Sequence, residues 1–376
     1  FWRRDRPPLA TPSFQGVGES QKVSPQPPFL QIYRYQTHDY AFSSNEGLLR
    51  ALGGEDLVLM LNRSIEEALQ RAGFSQKFID EVVCPAMRVN YGQGGFRPPA
   101  LPGAVSLAGV ESGLWSVKGG NKLVCTGLLY AAKAQVIPGT VVSIEPKIRP
   151  RRSGELGGGL YHVTYRTAQG LTGDTYDLVV IAAPLGGPLA NISFLNFHPP
   201  IPSFPNPYHQ TVATFVHGRL NSSFFGYREP SSFRLGVIFT TDNPNLFINS
   251  LAMVSPVEKK DDDEDDDEKT TPLAVWKVFS REELTKEELD LLFVSYDSVK
   301  FKKWLAYPRY DPPERCPPVL LHHQLYYLNG LERAASAAEL SAVAAKNVAL
   351  LAFHRWHGNH GAIDQQDLEE KLKTEL

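Results

Sequence analysis

Apolar residues follow two different spacings along this chain, and the change between them divides it. From Phe29 to about Asn90 the spacing is helical. Ser43-Ser-Asn-Glu46 and Ser64-Ile-Glu-Glu67 fit the S-x-x-E capping box, in which serine and glutamate each satisfy an orphan backbone N–H. Ser75 can cap a third helix whose buried stripe is Phe78, Ile79, Val82 and Val83. Tyr91 to Gly103 is rich in glycine and proline and predicts a loop. Asn121 to Lys133 predicts a further helix after Gly119-Gly120, with Leu123, Val124, Leu128 and Leu129 on one side.

β spacing then takes over. Val136-Ile137, Thr140 to Glu145 and Tyr161 to Arg166 predict strands. Leu178 to Ala183 is a continuous apolar run closed by Pro184, the pattern of a strand buried on both faces. Thr211 to His217, Gly236 to Thr241, Leu246 to Val254, Leu273 to Phe279 and Val299 to Tyr307 suit a second, largely antiparallel domain, with a helix at Leu284 to Phe293. Leu325 to Asn329 predicts a last strand. After Gly330, a long helix is expected from Ser336 to His354. Ser336-Ala-Ala-Glu339 again fits the capping box. Ala337, Leu340, Ala344, Val348 and Leu351 form one stripe of a helix that is apolar nearly all round, which predicts burial.

Composition sharpens this picture. The 376 residues are 42% apolar and 11% aromatic, enough for a core and for two domains. The net charge of −3 conceals eight consecutive acids, Asp261 to Glu268; without them the chain carries +5. So mild a surplus is no nucleic-acid footprint, and the acidic run itself is expected to be a solvated loop. Residues 1–28 hold six prolines and read as a disordered leader. Phe1-Trp-Arg-Arg-Asp-Arg-Pro-Pro8 has no apolar stretch behind it and does not read as a signal peptide. Three cysteines, Cys84, Cys125 and Cys316, exclude a disulfide framework and, lacking CxxC, disfavour a zinc site. No apolar run reaches the ~18 residues of a membrane span.

Candidate chemistry is sparse. The start of the long helix could direct backbone N–H groups and a positive dipole end at an anionic or carbonyl-rich ligand, although on pattern alone a capped core helix that touches no ligand is the favoured reading. Gly119-Gly120 could bring backbone close to a cofactor, or be an ordinary turn. His322 and His323, adjacent on a strand, point to opposite faces and cannot share one site. His322 is a weak candidate for a polar group beside a cofactor. No metal-ligand motif and no nucleophile motif occurs. Asn62-Arg-Ser64, Asn191-Ile-Ser193 and Asn221-Ser-Ser223 are N-glycosylation sequons.

Taken together, Tyr33-Arg-Tyr-Gln-Thr-His-Asp-Tyr-Ala-Phe42, Tyr91-Gly-Gln, Leu114-Trp-Ser-Val-Lys-Gly-Gly-Asn-Lys-Leu-Val-Cys125, Tyr176-Asp-Leu-Val-Val-Ile-Ala-Ala-Pro184, Phe197-His-Pro-Pro200, Val216-His-Gly-Arg-Leu-Asn-Ser-Ser223 and Val343-Ala-Ala-Lys-Asn-Val-Ala-Leu-Leu351 resemble the prenylcysteine oxidase family, and more closely its oxidase-like branch. The likeness covers Phe29 to Leu376. Gly119-Gly120-Asn121 and the turn from Glu332 to Ser336 also look like the middle and C-terminal flavin-contact motifs of amine oxidases and Rab GDP-dissociation inhibitors.

The resemblance implies an α/β fold: an incomplete FAD-binding Rossmann-like domain with a mixed, largely antiparallel substrate domain. It implies a helical part of the substrate domain over 29–118, an FAD-domain segment with a β-meander over 119–190, the substrate domain over 191–318 with an acidic loop at 258–269, and FAD-domain strand and helices over 319–376. FAD would lie near Gly119, Gly120, Asn121, Val141, Glu332 and Ser336. The implied reaction cleaves the thioether of farnesyl- or geranylgeranyl-cysteine with molecular oxygen, giving cysteine, an isoprenoid aldehyde and hydrogen peroxide, in a lysosomal or secreted setting with possible membrane-surface or lipoprotein association. A non-catalytic prenyl-binding protein and an inactive secreted isoform are the rivals. The family opens with a strand–GxGxxG–helix unit; Gly16-Val-Gly18 lies in the proline-rich leader and is not that fingerprint. A form lacking this unit is therefore expected, with an exposed apolar edge at Val179 to Ala182.

Overall fold

The computed structural model describes residues 38–94, 98–108, 116–147, 160–189, 191–204, 207–243, 245–254 and 271–366. The proline-rich leader and the acidic run lie outside them. The architecture is mixed α/β, with three sheets and a helical N-terminal part.

Helix α1, Asn45–Leu59, is interrupted at Gly53-Gly54, where Gly54 adopts φ +68°. Its cap falls one residue later than the sequence pattern places it: Ser44 accepts from the Gly47 N–H, while Ser43 Oγ donates to Asp364 at 2.6 Å. Helix α2, Ile65–Arg71, starts on the expected capping box of Ser64 and Glu67. Ser75 caps α3, Gln76–Phe78, which runs through a π turn, Ile79–Val83, into α4, Cys84–Tyr91. Pro85 has no N–H to continue the ladder, and the widened turn just before it absorbs that loss.

The expected loop at Tyr91 to Gly103 is shorter than the pattern implied. Helix α5, Ala100–Ala108, begins inside it. Pro102 is tolerated in a first turn, where an N–H has no intrahelical partner. Gly103 serves packing: a Cβ there would lie 2.5 Å from Ile65 Cγ1.

Helix α6, Lys122–Ala131, forms as expected but buries none of its residues, and Leu128 is 65% exposed. Val136-Ile137 is not a strand; two apolar residues ahead of Pro138 find no partner. Strands β1 (Thr140–Lys147), β2 (Leu160–Thr167) and β3 (Gly170–Tyr176) make an antiparallel meander. Strand β4, Val179–Ile181, leaves that sheet, and β5, Ser193–Phe194, returns to pair parallel with β1.

The large sheet comprises β6 (Tyr208–Leu220), β7 (Val237–Phe239), β8 (Ile248–Met253), β9 (Leu273–Ser280) and β10 (Phe293–Pro308) in the order β10-β6-β9-β8-β7, antiparallel throughout. Helix α7, Lys286–Leu292, covers one face with Leu289 and Leu292 against Val216, Trp276 and Val278. Arg88 of α4 clamps the helical part to this sheet. Its guanidinium donates to Thr240 Oγ1, Asp242 Oδ1, the Ile248 carbonyl and Asn249 Oδ1.

The third sheet joins β11 (Leu320–His322), β12 (Leu325–Tyr327) and β4, with β12 and β4 parallel. Among the described residues β4 has a strand on one side only. Val180 is 39% exposed, which corrects the reading of a strand buried on both faces and matches the expected apolar edge. Helix α8, Ala338–His357, follows. Leu340, Ala344, Val348 and Leu351 are buried against α1 and β12, but Phe353 and Trp356 are 57% and 55% exposed. The helix is thus covered on one side, not all round. Asn347, buried in its middle, exchanges two hydrogen bonds with the backbone of Phe42.

Candidate functional site

The turn between β12 and α8 gathers a cluster of buried, hydrogen-bonded polar side chains. Tyr327 ends β12, a 3₁₀ turn spans Asn329–Arg333, and α8 begins five residues later. Gly330 allows this path, because a Cβ there would meet Asn45 Nδ2 at 2.7 Å and the Pro317 carbonyl at 2.8 Å.

Both oxygens of Glu332 are engaged: Tyr208 Oη donates at 2.8 Å and Ser336 Oγ at 3.0 Å. Tyr310 Oη donates to the Glu332 carbonyl at 3.1 Å and accepts from the Ser336 N–H at 2.7 Å. Tyr91 Oη donates to the Ser336 carbonyl at 3.1 Å, and its ring meets those of Tyr307 and Tyr310 edge-on. Burial, then the Glu332 charge, drives the Tyr208 phenol far above its ordinary pKa. Burial does the same for Tyr310 and Tyr91. These hydroxyls therefore remain protonated donors at any physiological pH. Beneath them Arg333 pairs with buried Glu314, whose carboxyl burial pushes up.

The Ser336-Glu339 capping box does not form. Ser336 Oγ turns to Glu332 and the N-cap is Ala337, with no side-chain oxygen to offer. The first N–H groups of α8 thus receive no side-chain cap. A groove beside them is lined by Leu328, Asn329, Glu332, Ala335, Leu340 and Ser341. Asn329 Oδ1 is buried in this region with no hydrogen-bond partner.

Val141 connects to this end of the molecule. It packs in the cluster that holds Leu325 and Tyr327 of β12. Gly119, Gly120 and Asn121 do not. The glycines adopt φ +84° and +105°, conformations that favour glycine, and Asn121 Oδ1 accepts from the Val117 N–H at 2.8 Å. All three are exposed, and among the described residues no hydrogen bond or core cluster joins them to Glu332 and Ser336.

His322 lies at the opposite end of the β11–β12 hairpin from Glu332. Its Nδ1 is 2.6 Å from Tyr161 Oη, and its ring packs edge-on against Tyr161 and Phe197. Burial, then His323, lowers its pKa. Its role in this structure is to pack the meander on the third sheet. Of the sequons, Asn62 and Asn191 are exposed, whereas Asn221 Nδ2 donates to the Leu291 carbonyl.

Sequence reasoning gave no role to Tyr91, Tyr208 or Tyr310. Tyr208 lies 124 residues from Glu332 and Tyr91 lies 245 from Ser336, so local spacing carries no signal for them.

The family model described as prenylcysteine lyase matches residues 27–365. Prenylcysteine oxidase 1 of Bos taurus is 53% identical over 348 residues, covering 93% of this chain and 68% of the relative. The Homo sapiens protein of that name is also 53% identical over the same shares. Prenylcysteine oxidase 1-like of Mus musculus is 46% identical over 351 residues, 93% of this chain and 69% of the relative. Among these, identity runs higher to oxidase 1 than to the oxidase-like branch that the motifs favoured. With a family match over most of its length and relatives about half identical across 93% of it, this chain belongs to the prenylcysteine oxidase family of enzymes.

Proposed function

We propose that this protein is an FAD-dependent thioether oxidase acting on farnesyl- or geranylgeranyl-cysteine. One observation carries the reading: the Asn329–Ser336 turn presents an orphan acceptor, a fixed carboxylate and an uncapped helix start around one groove. These residues fit the polar edge and ribityl chain of a flavin. Glu332 would accept from ribityl hydroxyls. The α8 N–H groups would donate to carbonyl or phosphate oxygens. Gly119, Gly120 and Asn121 would offer exposed backbone from a second side, and Val141 backbone would lie beside the adenine in an FAD domain of Rossmann type.

A bound flavin supplies the two-electron redox chemistry. Each turnover breaks the bond between sulfur and isoprenoid C1, consumes one molecular oxygen and one water, and releases cysteine, an isoprenoid aldehyde and hydrogen peroxide. Tyr208, Tyr310 and Tyr91, held as donors, keep the turn in place without exchanging protons. The open face of the large sheet, with exposed Phe215, Val275 and Val237, is suited to the isoprenoid tail. The exposed sequons Asn62 and Asn191 agree with a lysosomal or secreted setting.

A non-catalytic prenyl binder is the second reading, favoured by α6 standing clear of the core with its glycine turn. Visible absorption of the purified protein separates the two. Yellow protein that releases peroxide on adding farnesylcysteine supports the oxidase; colourless protein that FAD does not reconstitute supports the binder.

A further inference from the structure

The face of the large sheet that α7 leaves uncovered carries an amine at its centre. Val237, Ala252, Lys277, Phe215 and Lys300 lie directly opposite one another across β7, β8, β9, β6 and β10, so they project from the same face. Lys277 belongs to the middle strand of the five. On that strand Val275 and Phe279 stand two residues to either side and share the face. The neighbours of the amine are therefore Phe215 and Ala252 across the sheet and Val275 and Phe279 along it.

Lys277 Nζ lies 4.7 Å from the centre of the Phe279 ring. Among the described residues it has no ion pair and no hydrogen bond, and Asp297 of β10 is already bonded to His217. Burial alone lowers its pKa; no neighbouring charge contributes. A half-desolvated amine without a counter-ion is a nucleophile toward a carbonyl carbon. The approach to it is open, since Phe215 and Val275 are 38% and 39% exposed.

We propose that Lys277 captures the isoprenoid aldehyde as an imine, with the apolar tail laid over Phe215, Val275, Phe279 and Val237. The inference rests on the oxidase reading for the origin of the aldehyde. The Nζ lone pair attacks the aldehyde carbon, the carbinolamine loses water, and a C=N bond replaces C=O. Neither carbon nor nitrogen changes oxidation level, so no further reagent is consumed, and hydrolysis returns the amine and the aldehyde. The site holds a reactive product on the protein until water releases it to a reaction that oxidises or reduces free aldehydes.

The test supplies farnesal to the purified protein together with cyanoborohydride, which reduces imines in preference to aldehydes, and maps the adducts by peptide mass. The major adduct is expected on Lys277, with a mass that lacks the aldehyde oxygen; a conjugate adduct keeps that oxygen. Propanal, which has no tail to bury, should label Lys277 at least about tenfold less. Lys277→Arg should remove the major adduct and leave the labelling of Lys300 and Lys302 as it was, with the melting temperature as the check on folding. Label spread evenly over Lys277, Lys300 and Lys302 overturns the proposal, as does equal labelling by the two aldehydes or an adduct that keeps the oxygen. Farnesylcysteine in place of farnesal separates this site from the oxidase reading. If farnesal labels Lys277 but farnesylcysteine neither labels it nor releases peroxide, the imine site stands and the oxidase reading falls. If farnesylcysteine releases peroxide but farnesal does not label Lys277, the oxidase reading stands and the imine site falls.

Discussion

Glu332 shows how a single residue acquires its surroundings from the whole chain. Its partner Ser336 is local, but Tyr208 comes from another sheet. Tyr208→Phe keeps the ring and removes a hydrogen bond to a charged group, so it should destabilise by about 1.5–3 kcal/mol in urea unfolding. Gly330→Ala places a methyl against Asn45 and the Pro317 carbonyl and should lower stability by about 1–3 kcal/mol. His209 and His322 both have pKa values lowered chiefly by burial. Below pH ~6.5 the unfolded chain takes up protons that these folded imidazoles refuse. Stability is therefore present above that pH and lost as pH falls toward the folded values. The melting temperature should drop between pH 7 and 5, and His322→Phe should flatten that slope; an unchanged slope would show that His322 does not titrate as described. Residue-level signals in the sequence were true only where no other partner, near or distant, competed. The S-x-x-E pattern produced a box at Ser64, but Ser43 is drawn to Asp364 and Ser336 to Glu332.

Elements were more legible than their surroundings. The strands from β6 to β9 and the helix between β9 and β10 fall where the apolar spacing puts them, because those segments bury a face against one core, whereas β10 begins at Phe293, ahead of the expected Val299, and is exposed along most of its length. Periodicity gives a helix its apolar side but not the partner that covers it. Helix α6 has such a side and buries nothing, while α8 covers only one of its apolar flanks. Leu128→Ala in α6 should thus change stability by less than about 0.5 kcal/mol, whereas Leu351→Ala in α8 should cost about 2–5 kcal/mol. Equal losses in denaturant titrations would mean that α6 packs against something. Ser64→Ala, which removes the confirmed cap of α2, should cost about 1 kcal/mol.

At the scale of the molecule, sequence reasoning found the mixed α/β class and a largely antiparallel second sheet, and a family resemblance supplied the candidate cofactor residues. It could not supply the order β11-β12-β4 or the tyrosines around Glu332, since both depend on pairings between distant parts of the chain. The Asn347–Phe42 clip is the clearest instance of such pairing, joining residues 305 apart. Ser43 and Asp364, 321 apart, fasten the same two ends together. That closure sets a clock on synthesis. At about 5–20 residues per second, roughly 15–60 s pass between the emergence of α1 and of the helix segment that covers it. Throughout that interval Leu48, Leu49 and Leu52 lack Leu340, Val343 and Ala344 of α8, so the newborn chain is a natural client for a chaperone until α8 appears.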